Sequence, residues 1–260
     1  MSQTDTPQML PKTQLQVEEL PVFVPDLDAM HEYQFVGLNN RDSRSRPFHL
    51  LRTTLSKSLK EKNYRLVGIT SATPAAGKSF LSMNLAASLA QVADDPVFLV
   101  DLDLRRASLA KDIGLVVDRG ISDFLNGDVS DLSSIGVRIE GSELTLFPTK
   151  RVSNNTAELV SGTNFDYLID SLRSQTGQSI ILFDLPPAFA NDDTMLILEK
   201  LDSYIMVVDS GKTNRRQVQE MLSILNPVPC AGTILNRYRG GFGDSYGYGY
   251  SASSYKKYYD

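Results

Sequence analysis

The chain has 260 residues, 42% of them hydrophobic and 22% charged, enough for one large domain with tails. Its net charge of −5, from 26 basic and 31 acidic residues, argues against a protein built to grip a nucleic-acid backbone. One cysteine, Cys230, excludes an internal disulfide framework, and two histidines, His31 and His49, leave little material for a histidine-built metal site.

The acidic surplus sits at the start. Asp5, Glu18, Glu19, Asp26, Asp28 and Glu32 stand against Lys12 alone, and Pro7, Pro11, Pro21 and Pro25 interrupt the same stretch. Its apolar residues follow no sustained period, so burial would not offset the entropy of ordering. This predicts a flexible arm over residues 1–40, with a short docking motif around LPVFV. From Arg41 the sign of charge reverses, and Phe48, Leu51, Leu55 and Leu59 fall on one helical face. Strands are predicted over 65–70, 97–101, 144–147, 179–184, 204–209 and 231–236, several as the continuous apolar runs of strands covered on both faces. Helical stretches at 78–93, 155–174, 191–200 and 213–225 lie between them. Strand and helix in alternation predict an α/β fold over 41–236: three layers, with a mostly parallel central sheet flanked by helices. Ligands of such sheets bind at the carboxyl ends of the strands. No apolar run approaches the roughly 18 residues that span a bilayer. The start lacks a signal-peptide layout, so a soluble, cytoplasmic protein is expected. Residues 237–260 hold five glycines, and six of the eleven tyrosines fall in the final fifteen residues, which predicts a mobile tail.

The first strand is followed by Ala72-Thr73-Pro74-Ala75-Ala76-Gly77-Lys78-Ser79 and then at once by a helix. This is the phosphate-cradling pattern G-x-x-x-x-G-K-[ST], with Ala72 in place of the first glycine. Gly77 permits the tight turn, and the amides of Ala75, Ala76, Gly77, Lys78, Ser79 and Phe80 surround a helix amino terminus, where anions are favoured. Lys78 would add a point charge on the outer phosphates, and the Ser79 hydroxyl can ligate Mg²⁺. Strand before and helix after are the context such a motif requires, and ATP or GTP binding is the expectation. Asp101 and Asp103 close the run VFLVDLD, and Asp184 closes SIILFD. One such aspartate could merely cap the next helix. Three at strand ends beside a phosphate loop are what Mg²⁺ in a nucleotide site needs.

With these residues in view, positions 46 to 260 resemble the bacterial protein-tyrosine kinases of capsule and exopolysaccharide biosynthesis, P-loop NTPases related to partition and septum-site ATPases. The resemblance rests on TSATPAAGKSFLSMNLA, FLVDLDLRR, GISDFLNGDVS, FDLPP, GTILN and the terminal tyrosine cluster, in that order. It implies ATP and Mg²⁺ as cofactors: Lys78 on the phosphates, Ser79, Asp103 and Asp184 holding the metal, and Asp101 as base toward a tyrosine hydroxyl. It further implies Asn236 reading adenine, and Tyr246, Tyr248, Tyr250, Tyr255, Tyr258 and Tyr259 as phosphoacceptors modified in trans. The implied partners are a membrane-embedded polysaccharide chain-length regulator and further copies of the chain, with no nucleic acid. That would place the protein at the inner face of the cell membrane.

The chain departs from the family pattern in two places. The subunit-contact motif E-x-x-R-x-x-R is replaced by Arg46, His49 and Arg52, and the loop has Ala75 and Ala76 where glycine and glutamate are usual. Two other readings therefore stay open: an ATP-binding regulatory subunit of an export complex, and a nucleotide-switched dimeric ATPase without kinase activity. Against the second, Thr73 stands where those ATPases carry a signature lysine.

Overall fold

A computed structural model describes residues 15–39, 41–93, 95–175 and 177–238. The predicted strands form β2 (Leu66–Ser71), β3 (Val97–Asp101), β5 (Leu144–Phe147), β6 (Ile180–Asp184), β7 (Ser203–Asp209) and β8 (Cys230–Asn236). Two short strands, β1 (Val22–Phe23) and β4 (Val137–Ile139), complete an eight-stranded sheet in the order β1-β4-β5-β3-β6-β2-β7-β8. Every pairing is parallel except β4 with β5. The expected three-layer α/β architecture is therefore present.

The central strands are buried along their whole length, and side-chain alternation splits their apolar residues between two cores. Val97 and Leu99 point to one face, against α2 (Arg46–Lys62) and α3 (Lys78–Ala90), where Phe48, Leu55, Leu59, Leu81, Leu85 and Leu89 pack. Phe98 and Val100 point to the other, toward α4 (Ile121–Asn126), α5 (Thr156–Ser161), α6 (Thr163–Arg173), α7 (Asp193–Leu198) and α8 (Arg215–Ile224). The helix expected over 155–174 is two helices. Gly162 is extended (φ −81°, ψ 164°) and serves as the cap between them.

The arm expected to be flexible is not a separate arm from Leu15 onward. Leu15, Leu20, Phe35 and Val36 are buried. Pro21 and Phe23 accept backbone hydrogen bonds from Arg138 and Glu140, adding LPVFV to the sheet edge of its own domain. A helix, α1 (Leu27–Glu32), follows, with Asp26 accepting from the Ala29 amide at 2.7 Å. Past α1, the Asn84 side chain accepts from the amides of Val36 and Gly37 at 2.8 and 2.9 Å. A β-carbon at Gly37 would come within 2.4 Å of the Asn84 carbonyl, so only glycine fits there. The segment is held by isolated anchors and backbone bonds instead of one periodic face, and Asp26 caps a helix instead of solvating a coil. Residues 1–14, and the tail from 239 onward with its six terminal tyrosines, lie outside the described residues.

Candidate nucleotide site

The carboxyl tips of β2, β3 and β6 converge on the first turn of α3. Asp184 is in register with Ile69 on one side and with Asp101 on the other. The loop 72–77 leaves β2 and enters α3 through Gly77, whose φ of 92° is in the left-handed region. It is tied to the segment after β6, where Ala188 and Phe189 donate to the carbonyls of Ser71 and Ala72. Thr70 Oγ1 donates to the Pro186 carbonyl at 2.8 Å. Loop and FDLPP segment thus share a rigid base.

Within this base Lys78 is almost completely buried, 4% exposed, with Nζ 4.0 Å from Asp103 Oδ2. Asp101, Asp103 and Asp184 are buried as well. Asp101 accepts from the amides of Asp103 (3.2 Å) and Leu109 (3.4 Å), so it also shapes the loop that follows β3. Asp184 Oδ1 accepts from Ser82 Oγ at 2.9 Å, whereas its Oδ2 is buried without a hydrogen-bond partner among the described residues. Burial drives the Asp101 carboxyl well above the usual range, and the negative charges of Asp184 and Asp103 push it further. Burial likewise lifts Asp184 to about 6, against the Lys78 charge and the nearby Ser79 and Ser82 hydroxyls. Asp103 is raised by burial and partly relieved by Lys78 and Arg106.

Three carboxyl groups are crowded beside a single lysine and one keeps an orphaned oxygen, so bringing all three to the charged state calls for further positive charge. A divalent cation fits this donor set. Among the described residues no group of three or more His, Cys, Asp or Glu side chains is arranged to hold a metal alone.

The sequence also predicts roles for Phe80 and Asn236. The Phe80 ring packs edge-on against Phe48, centroids 5.7 Å apart, which leaves its backbone in the first turn of α3. Asn236, at the end of β8, donates from Nδ2 to the Ala76 carbonyl at 2.8 Å, so its carboxamide lies against the phosphate loop.

Two residues escape the sequence reading. Arg237 Nη1 donates to the Ala75 carbonyl at 2.8 Å and to Asp209 Oδ2 at 2.7 Å. Asp209 closes the apolar run YIMVVD just as Asp101 and Asp184 close theirs, so the signal for it was present. Arg237 has no such mark; it reads as the first basic residue of the tail. Ala75 itself sits at φ 60°, a conformation that costs a β-carbon about 1–2 kcal/mol. On α2, Arg52 Nη1 donates to the Ser88 carbonyl of the same chain at 3.1 Å, and His49 Nε2 is buried without a partner among the described residues.

A mostly parallel sheet with a phosphate-loop sequence after β2, and aspartates at the neighbouring tips, is the arrangement of P-loop proteins. The septum-site-determining protein MinD of Pyrococcus horikoshii, solved with Mg-ADP, shares this fold, with TM-score 0.57 and 22% identity over 67% of this chain and 71% of that one. No family model matches the chain. The solved VpsO kinase domain is 30% identical, with TM-score 0.66 over 75% of this chain and 96% of that one. The tyrosine-protein kinase ptk of Acinetobacter johnsonii is 31% identical over 200 residues, 77% of this chain. The chain belongs to the bacterial tyrosine-protein kinase family. It spans about a quarter of the length of the curated relatives it first matches, 28% of the Ralstonia nicotianae EpsB protein and 26% of ptk.

Proposed function

We propose that the chain is an ATP- and Mg²⁺-dependent protein-tyrosine autokinase whose acceptors are the tyrosines of its own carboxyl-terminal tail. The observation that carries this reading is Lys78 set among three buried aspartates at the strand tips of a chain that ends in a tyrosine cluster. When bound, Mg²⁺ would neutralise charge on the β- and γ-phosphates; Ser79, Asp103 and Asp184 would hold it. Lys78 and the amides of residues 75 to 80 bind the phosphates, and Lys78 stabilises charge that grows in the transition state. Asp101 takes the proton from the tyrosine hydroxyl. The tyrosine oxygen bonds to the γ-phosphorus, the bond to the β–γ bridging oxygen breaks, and ADP leaves. Asn236 contributes to the nucleoside end of the site.

Tyr246 lies eight residues beyond Tyr238, a span of at most roughly 26–29 Å, and the later tyrosines reach further. Transfer runs between copies of the chain, and each phosphate adds about −1.5 to −2 charges, so a modified assembly loosens by repulsion between tails. The reaction serves capsule or exopolysaccharide production, with a membrane-embedded chain-length regulator as partner. Among the described residues no helix is long and apolar enough to cross a membrane.

The test is incubation with Mg-ATP followed by intact mass across a dilution series. Wild type is expected to gain several phosphates at a rate that rises with protein concentration. Lys78→Met should slow the gain by about 10²–10³. Hydrolysis of ATP with no gain of mass would instead favour the nucleotide-switched ATPase.

A further inference from the structure

The phosphate loop is gripped from outside by the end of β8. Two consecutive loop carbonyls are taken by two consecutive side chains: Asn236 Nδ2 donates to Ala76, and Arg237 Nη1 donates to Ala75. The grip is braced in turn. Arg237 Nη1 also donates to Asp209 Oδ2, a carboxylate only 3% exposed at the tip of β7. The Arg237 amide donates to Asn236 Oδ1 at 2.9 Å, and the Ser210 amide donates to the Asn236 carbonyl. Lys212 Nζ approaches the same Asp209 oxygen at 3.6 Å, a second cation beside the anchor.

The residue on the receiving end needs such a grip. Ala75 holds φ 60°, which a glycine would take freely and an alanine leaves unless something restrains it. Arg237 is itself left-handed, at φ 58°, so strained backbone is retained on both sides of one hydrogen bond. A cationic donor on a carbonyl makes a stronger bond than a neutral pair, and Asp209 keeps that donor aimed.

We infer that Arg237 is a positioning residue for the phosphate loop: by holding the Ala75 carbonyl from the Asp209 anchor, it keeps an alanine in the left-handed conformation that nucleotide binding requires. It touches loop backbone and acts on the nucleotide through it. This rests on the nucleotide-binding reading of the same site and adds what lets the loop work with alanine at position 75.

The experiment is a double-mutant cycle between Arg237→Ala and Ala75→Gly, read by calorimetric titration with Mg-ADP and by amide exchange at residues 75–77 without nucleotide. In the alanine loop, Arg237→Ala is expected to weaken Mg-ADP binding about tenfold, the worth of a charge-assisted hydrogen bond. In the glycine loop the same change should cost less than about threefold, because glycine needs no restraint. Arg237→Lys offers one cationic nitrogen with donors for both acceptors and should stay within about threefold of wild type. Equal losses in the alanine and glycine loops would overturn the inference, since a merely structural arginine would not distinguish them. If wild type binds no Mg-ADP, the nucleotide reading fails, and amide exchange still decides the grip. Faster exchange in Arg237→Ala, restored by Ala75→Gly, supports it; unchanged exchange refutes it.

Discussion

Replacing Gly77 by alanine tests the loop geometry most sharply. Its φ of 92° is left-handed, and a β-carbon added there would lie 2.2 Å from Asn236 Nδ2. The backbone term alone is about 1–2 kcal/mol. Asn236 is a movable side chain, so the clash is relieved by swinging it away, but that breaks its 2.8 Å bond to the Ala76 carbonyl. A lost hydrogen bond of this kind adds about 0.5–1.5 kcal/mol. Gly77→Ala is therefore expected to lower stability by about 2–3 kcal/mol, read as a shift in the urea midpoint without a change in slope. Adding Asn236→Ala removes the clash and should recover nothing of the backbone term, so the double variant stays below the single Asn236→Ala by about 1–2 kcal/mol. A Gly77→Ala protein as stable as wild type would refute the account of this turn.

Leu20→Ala should cost about 2–5 kcal/mol in denaturant unfolding, because Leu20 is 2% exposed; no loss would mean that the segment before Arg41 does not pack on the domain. Ser82→Ala removes the donor to Asp184 Oδ1 and leaves that buried carboxyl without its hydroxyl partner, a loss of about 1–3 kcal/mol by the same assay. Asp112 offers a pH test, because burial lifts its carboxyl to about 6 from an ordinary 3.8, against Arg106 and Lys111. A raised acid is penalised in the fold when charged, so its cost is present above pH 6 and disappears as pH falls toward 4. Asp112→Asn should stabilise the protein by about 1 kcal/mol at pH 8, after discounting for solvent access, and by nothing at pH 4. An equal gain at both pH values would contradict this.

The alternation of apolar runs and helical periods was enough to place six strands and the helices that cover them, because buried parallel strands need unbroken apolar sequence. That the loop before Lys78 and the aspartates at 101, 103 and 184 come together was legible for a related reason: a carboxylate at a strand tip leaves a charge at the end of an apolar run. β1 and β4 were not legible. They have two and three residues, too short to show a period, and are held by the neighbours they pair with. The acidic, proline-containing start read as coil, yet single anchors such as Leu20 and Phe35 find pockets in the finished domain, and no local pattern announces that. Gly162 interrupts a helical pattern whose apolar period continues past it, so the break is visible only in the backbone. Arg237 was hidden because its partners, Ala75 and Asp209, are 162 and 28 residues away in sequence.

The central claim is that the nucleotide held by Lys78 and its aspartates gives up its γ-phosphate to the chain's own tyrosines. Peptide-resolved mass spectrometry after incubation with Mg-ATP measures this directly. The account predicts phosphate on Tyr246, Tyr248, Tyr250, Tyr255, Tyr258 and Tyr259, and none in the Lys78→Met protein. Phosphate absent from residues 246–259 in a wild-type protein that binds Mg-ATP would contradict it.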